Sequence, residues 1–305
     1  MNKIAYTKPS LTFVEQIDHL ESRGMRFKDK QYAEIKLSSI SYYRLSGYWY
    51  PYKCRDSNGL ITNQFIDNTY FSEIIKLYEF DRRLRLLVLD AIERVEVAIR
   101  TQFTYHLGHS YDAFGYANKD NFHQDFKHQV WLKRLNSEVK RSRDDFIAHF
   151  NHKYIGYPIV PIWMMTEIMS LGALSFGYEG LKNTTDEKKK IAAYFGLHYK
   201  KLQDWLHVLT YIRNICAHHS RLWNRSMSIK PSTSGDSRWI QQSIRRNDKI
   251  FYILLMLRHL LKATGNDGEY WKTEVNGLLL PVATKKRWRV AMGMPEDWAE
   301  HPVWR

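Results

Sequence analysis

The sequence has little cysteine and no long uninterrupted apolar run. Its two cysteines, Cys54 and Cys216, form no CxxC pair, which argues against a disulfide framework and a thiolate metal site. Cys216 lies in an apolar helical stripe and is predicted to be a small core residue. The most apolar stretch, 250–261, is broken by two polar residues and is too short to span a bilayer. The N-terminus has no apolar core typical of a signal peptide. We therefore expect a cytoplasmic protein that does not cross a membrane.

The patterns that bind metal ions are equally scarce. His106 with His109, and His149 with His152, are three residues apart, but each pair supplies only two ligands. No HExxH motif completes either pair, and no carboxylate cluster resembles a two-metal nuclease. The sequence thus predicts no metal and no cofactor.

Acidic residues are outnumbered, with 32 Asp and Glu against 46 Lys and Arg, for a formal charge of +14. Such an excess attracts polyanions, so nucleic acid, an anionic membrane and an acidic protein are the candidate partners. A soluble protein that is merely basic fits the same numbers. No helix-turn-helix or zinc-finger signature is present, which disfavours sequence-specific DNA binding.

Most of the sequence shows the apolar periodicity of α-helices. Apolar residues recur every three or four positions over 71–107, with an interruption at Asp81 that predicts a bend or break. Thr12 and Glu15 form a capping-box pattern, and Asn58-Gly59 predicts a β-hairpin between 48–53 and 60–66. Other helices are predicted over 12–22, 30–39, 122–150, 162–181, 186–195, 199–223 and 239–264. The fold class is therefore mainly α, with one small hairpin.

The strongest local feature is the stretch 211–225, which contains Arg213, Asn214 and His218. Asn214 and His218 are four apart and share a helix face. Cleavage of RNA by its own 2′-hydroxyl needs an acid or base that titrates near neutrality and a cation for the crowded phosphate, which histidine and arginine supply. Asparagine would orient the imidazole. The same residues near a helix end also serve as ordinary carbonyl caps or salt-bridge partners.

These residues and several others, in the same order, resemble a known family. Arg213 and His218 are similar to the RxxxxH motif of HEPN ribonucleases, and 213–225 resembles the signature of abortive-infection (Abi) proteins of the AbiD/AbiF type. The segments that match the same family are 42–48, 80–85, 92–100, 163–175 and 292–295, followed by Trp298 and Trp304. The likeness covers nearly the whole chain.

The resemblance implies a HEPN-type helical bundle that forms a homodimer, so that two RxxxxH motifs meet. It implies a catalytic set of Arg213, Asn214, His218 and His219, in which spacing favours His218 as the acting ring. The candidate RNA-binding residues are Arg221, Arg225, Glu96, Arg100, Arg44, Lys285, Lys286, Arg287 and Arg289. Glu96 and Arg100 fit a surface i, i+4 pair equally well. From the residues alone, the basic cluster 285–289 is either a solvated face or a surface on which Trp288 stacks on a base.

The chain divides, on this view, into an N-terminal helical and hairpin segment (1–68), a HEPN-like core (69–264) and a C-terminal tail (265–305). The tail carries Trp271, Trp288, Trp298 and Trp304 and is expected to pack down. The leading hypothesis is a metal-independent endoribonuclease of an anti-phage defence system that also binds a structured small RNA. The alternatives are a non-catalytic protein that holds a structured non-coding RNA, and a regulator that sequesters an acidic protein.

Overall fold

Helices make up most of the chain, as the sequence predicts. A computed structural model describes residues 5–7, 9–155, 159–233, 239, 246–265 and 267–305. The chain forms two compact units, Met1–Arg83 and Leu84–Arg305. The three-part division at residues 68 and 264 stays a prediction.

The first unit begins with helices α1 (Phe13–Glu21), α2 (Lys30–Ile40) and α3 (Tyr42–Trp49). The predicted capping box is confirmed: Glu15 N–H donates to Thr12 Oγ1 at 3.3 Å, and Thr12 N–H donates to Glu15 Oε2 at 2.7 Å. These reciprocal bonds satisfy two backbone donors that the helix start leaves free.

The predicted hairpin is present but shorter than expected. Strand β1 (Lys53–Arg55) pairs antiparallel with β2 (Ile61–Phe65), and Lys53 lies opposite Phe65. Asp56 Oδ1 accepts the N–H groups of Asn58 and Leu60, both at 2.9 Å, which closes the turn. The expectation that strand structure starts at residue 48 is wrong, because that stretch ends α3 and continues into a short 3-10 turn.

Helix α4 (Phe71–Tyr111) runs for 41 residues through the position where a break was predicted. Asp81 is fully buried, and its Oδ2 accepts the hydroxyl of Tyr48 at 2.7 Å. A buried carboxylate that keeps a hydrogen-bond donor avoids much of the cost of desolvation. Since α4 is continuous at Asp81, the predicted break is wrong, whereas the alternative of a bend stays a prediction.

The second unit contains α5 (His128–Arg141), α6 (Asp145–Lys153), α7 (Ile162–Ile168), α8 (Leu171–Gly180), α9 (Asp186–Tyr194) and α10 (Tyr199–Ala217). The helices predicted over 122–150 and 162–181 are each two helices. Ser170 causes the second break, since its hydroxyl caps α8 by accepting Ala173 N–H at 3.3 Å.

The chain ends with α11 (Ile250–Leu261), α12 (Asp267–Ala283) and α13 (Lys286–Ala291). Helix α11 starts later than the predicted residue 239, and 240–245 lie outside the described residues. The four tail tryptophans are buried, as expected. None of the helices in the described part of the chain has the length and apolarity needed to cross a membrane.

Candidate functional site

Helix α10 carries the candidate residues on an exposed surface above a buried face. Its apolar stripe is buried: Leu202, Trp205, Leu206, Val208, Leu209, Ile212, Ile215 and Cys216. Arg213, Asn214, His218 and His219 are all exposed. Burial of the stripe fixes the rotation of the helix, so packing of the opposite face holds the polar residues at the surface. The prediction that Cys216 is a core residue is confirmed.

The end of α10 is a Schellman turn with a histidine at its left-handed position. His218 is the C-cap, Ser220 N–H donates to the carbonyl of Ile215, and His219 N–H donates to that of Cys216, both at 3.0 Å. His219 has φ of 55°, a conformation that glycine adopts more easily. The predicted continuation of this helix to residue 223 is wrong, because the turn satisfies the last carbonyls and redirects the chain.

The contacts made by the polar side chains differ in part from expectation. Arg213 Nη1 donates to Asn214 Oδ1 at 3.3 Å, so the observed partner of Asn214 is the guanidinium. The His218 imidazole forms no hydrogen bond within the described residues, which leaves both ring nitrogens open to a ligand. Its backbone N–H donates to the Asn214 carbonyl at 3.0 Å. Orientation of the imidazole by Asn214 stays a prediction.

The segment after α10 gathers positive charge. Arg225 Nε donates to the carbonyl of Arg221 at 3.0 Å. Lys249, from the distant start of α11, donates to the carbonyl of Asn224 at 3.2 Å and to Ser226 Oγ at 3.0 Å. Burial lowers the pKa of Lys249, the nearby charges of Arg246 and Arg221 lower it further, and the carboxylate of Asp248 partly offsets them. Lys249, Arg246 and Arg221 thus lie close enough for their positive charges to interact.

Tyr211, nearly two turns before the end of α10, borders the same cationic segment. Burial raises its pKa, but hydrogen bonds from Ser228 and Arg225 outweigh this effect, so its pKa lies below the ordinary value. The bond from Ser228 Oγ to the Tyr211 hydroxyl is 3.0 Å long. These contacts fasten the segment after the helix to the helix itself.

Sequence reasoning missed Lys249. Arg246 Nε and Nη2 are bound by Asp248 at 2.7 and 2.8 Å, which holds the pKa of Asp248 at about 2. Gly293 lies against Lys249, since a Cβ on this glycine would be 2.6 Å from Lys249 Cβ. The only related sequence signal was the family likeness of 292–295, which contains Gly293. That likeness does not indicate that Lys249 packs against Gly293.

Glu96 and Arg100 lie inside a hydrogen-bonded clasp. Arg100 Nη1 donates to the carbonyl of Glu167 at 2.6 Å, and Nη2 donates to the carbonyl of Met169 at 2.7 Å and also to Glu96. The side chains of Glu96 and Arg100 are only 16% and 18% exposed. The pair therefore ties α4 to the end of α7 and to the turn that follows it. A direct contact of either residue with RNA stays a prediction.

The clasped turn leads back to the site. After it, Gly172 of α8 packs against Thr210 of α10, one turn before Arg213, and a Cβ at Gly172 would lie 3.4 Å from Thr210 Cγ2. Arg134 Nη2 donates to Ser170 Oγ at 2.9 Å in the same turn. Helix packing thus connects the clasp to the helix that carries the candidate site.

The remaining predicted RNA contacts lie elsewhere in the chain. Arg44 is exposed on α3, in the first unit. Lys285, Lys286 and Arg287 are exposed at the start of α13, whereas Arg289 is paired with Glu296.

The expected stacking of Trp288 on a base is wrong. Trp288 is buried, its ring centroid lies 6.2 Å from that of Trp223, and Lys285 Nζ lies 4.3 Å from its ring centroid. Within the described residues, no group of three or more His, Cys, Asp or Glu side chains is placed to hold a metal ion.

Comparison with known proteins gives one result. A family model described as Abi-like protein matches residues 35–224, which is more than half of the chain. The match spans α10, the exposed Arg213 and His218, and the segment to Asn224. No curated protein and no solved structure matched the chain.

Proposed function

The chain belongs to the family of Abi-like proteins, which implies a role in abortive-infection defence. We propose that, in this defence, it is a metal-independent endoribonuclease of the HEPN type. The observation that carries this proposal is the exposure of Arg213 and His218 together at the end of a helix whose opposite face is buried. An imidazole and a guanidinium at a surface are accessible to a polymeric substrate. If these residues were buried in the interior, an RNA strand could not reach them.

The chemistry uses groups that this chain supplies. The RNA 2′-oxygen attacks the adjacent phosphorus while its proton passes to a base, a new O2′–P bond forms, and the P–O5′ bond breaks. The leaving 5′-oxygen takes a proton, which gives a 2′,3′-cyclic phosphate and a 5′-hydroxyl. His218 acts as acid or base, and Arg213 binds the phosphate oxygens as charge accumulates on them. His219, Arg221 and Arg225 assist in holding the strand.

One imidazole cannot serve as base and acid at the same moment, so we place two chains in the active form. A homodimer that brings the exposed ends of two α10 helices together supplies both roles and doubles the positive charge around the phosphate. The cytoplasm, where RNA is abundant, is the proposed compartment.

The test compares His218→Ala with His207→Ala, since His207 is an exposed histidine on the same helix. Loss of a general acid or base costs about 100- to 10,000-fold in rate, so the His218 variant should fall in that range while the control keeps the parental rate. Products are analysed for 2′,3′-cyclic phosphate ends with EDTA present. Equal cleavage by both variants would show that His218 is not catalytic.

The second candidate function is stable RNA binding without cleavage. It is favoured by the cationic segment around Arg221, Arg225 and Lys249, which lies beside the site. On this alternative, purified protein retains a structured RNA that is intact after incubation, and binding weakens steeply with salt. Sequencing the RNA that copurifies identifies the ligand in either case.

A further inference from the structure

A groove between α4 and α7 combines aromatic walls with hydrogen-bond acceptors. Its volume is about 470 Å³. The lining residues are Arg100, Thr101, Thr104, Tyr105, Gly108 and His109 from α4, and Trp163 and Glu167 from α7. Trp163 and Glu167 are four apart and therefore share one face of α7. Gly108 lets α7 pack closely against α4 at this end of the groove, since a Cβ there would lie 3.7 Å from Ile162 Cγ2.

Trp163 is the exception among the tryptophans of this chain. The chain has ten, and nine are buried, whereas Trp163 is 51% exposed. Its ring contacts no other aromatic ring within the described residues. Tyr105, across the groove, is 55% exposed, and its ring centroid is 4.3 Å from that of His109. Two large exposed rings at one groove form a surface on which a flat ligand can stack.

Several polar groups around the groove accept hydrogen bonds. His109 Nδ1 is 2.8 Å from the carbonyl oxygen of Tyr105 and donates to it, which makes Nε2 of the neutral ring an acceptor. The hydroxyl proton of Thr101 goes to the carbonyl of Val97 at 3.0 Å.

The charged groups at the groove follow the same pattern. The Glu167 carboxylate forms no ion pair or hydrogen bond within the described residues, and the Nη atoms of Arg100 are occupied by the clasp. The open carboxylate of Glu167 beside two exposed rings therefore favours a flat ligand that presents hydrogen-bond donors.

We propose that this groove holds one unpaired guanine of the bound RNA, an inference that rests on the proposed function. The base stacks on Trp163, and the two oxygens of Glu167 accept its N1–H and its 2-amino group. Guanine alone among the four RNA bases presents two adjacent donors on its Watson–Crick edge. Recognition of single-stranded RNA through stacked, splayed bases and their Watson–Crick edges is general. The groove thus selects single-stranded RNA with an exposed guanine.

The experiment measures binding in a background that does not cut the ligand. Labelled octauridine with one central guanosine, inosine or adenosine is titrated with the His218→Ala protein by fluorescence anisotropy. Adding Trp163→Ala should weaken binding of the guanosine strand by about 5- to 100-fold, the range seen when a stacking ring is removed. Trp163→Phe should restore most of the affinity. Tyr270→Ala removes an exposed ring elsewhere in the same unit and should change nothing.

Glu167→Gln tests the base assignment separately. Without the substitution, the guanosine strand should bind about 10-fold more tightly than the adenosine strand, as expected for a bidentate contact, with inosine between them. Glu167→Gln should remove most of that preference and leave stacking intact. Unchanged preference in this variant overturns the guanine assignment.

The outcomes separate the two proposals. If the His218→Ala protein binds RNA and Trp163→Ala binds it equally well, the groove inference is wrong and the proposed function is untouched. If the parent protein neither binds nor cleaves any RNA, the proposed function fails and the inference fails with it. Circular dichroism of each variant establishes that it is folded, which the exposure of Trp163 and Glu167 leads us to expect.

Discussion

Replacing Arg100 with alanine should destabilise the second unit through the turn between α7 and α8. The guanidinium is the donor to the carbonyls of Glu167 and Met169 and to the carboxylate of Glu96. A buried polar group left without its hydrogen-bond partner lowers the free energy of unfolding by about 1–3 kcal/mol. The loss is larger when the missing partner was charged. Partial exposure admits some water, so we expect about 3 kcal/mol for Arg100→Ala. Arg100→Lys should cost about half as much, since an ammonium still reaches some of these acceptors.

The assay is urea unfolding followed by circular dichroism. Lys76→Ala is the control, because Lys76 forms an exposed ion pair with Glu73 at 2.7 Å on the same helix and should cost below about 0.5 kcal/mol. Combining Arg100→Ala with Glu96→Gln should cost less than the sum of the single changes, since no carboxylate is then left unpaired. A loss for Arg100→Ala as small as that of the control would refute the clasp.

The same variant distinguishes a clasp from an RNA contact. A lysine or arginine that touches phosphate contributes about one unit to the salt dependence of RNA binding. Since the Nη donors of Arg100 are already occupied, Arg100→Ala should leave the slope of log affinity against log salt unchanged at temperatures where the protein is folded. A slope reduced by about one would assign Arg100 to the RNA interface instead.

Two further predictions concern His219, just after α10, and His301. His219→Gly should be more stable than His219→Ala by about 1 kcal/mol in thermal unfolding, because only the backbone cost at φ of 55° separates them; equal stability would contradict the strain argument. Burial lowers the pKa of His301 to about 4 from an ordinary value near 6.5, so the unfolded chain takes up the proton first and stability should fall by up to about 3 kcal/mol as pH drops from 6.5 to 4. His301→Asn keeps an acceptor for Val303 N–H without titrating and should flatten this dependence in urea titrations at each pH; an unchanged slope would assign it to other groups.

The sequence was informative where one local rule controls the structure. The capping box at Thr12, the turn at Asp56–Gly59 and the buried stripe of α10 each depend on residues only a few positions apart, and each was predicted. The end of α10 was not. Leu222 and Trp223 are buried like the stripe before them, so the apolar period continues after the helix has stopped. A glycine at the left-handed position would have predicted the end of the helix, whereas the histidine found there does not.

Contacts between distant segments were beyond what periodicity can reveal. The i, i+4 spacing of Glu96 and Arg100 predicts a pair, but the carbonyls of Glu167 and Met169 that complete the clasp lie some seventy positions later. Lys249 approaches Asn224 in the same way. The groove beside Trp163 belongs to this class too, since helical spacing cannot show that one tryptophan of ten is left uncovered.

The Schellman turn constrains the number of residues between Arg213 and His218. Insertion of a single residue between them would rotate one side chain by about 100° relative to the other and move the cap away from the carbonyls that anchor it. Variation in this family is therefore expected to keep the number of intervening residues constant and to keep positions 215 and 216 apolar, since Ile215 and Cys216 are buried. Libraries built to retune the site should avoid insertions and deletions here and leave Ile215 and Cys216 unchanged.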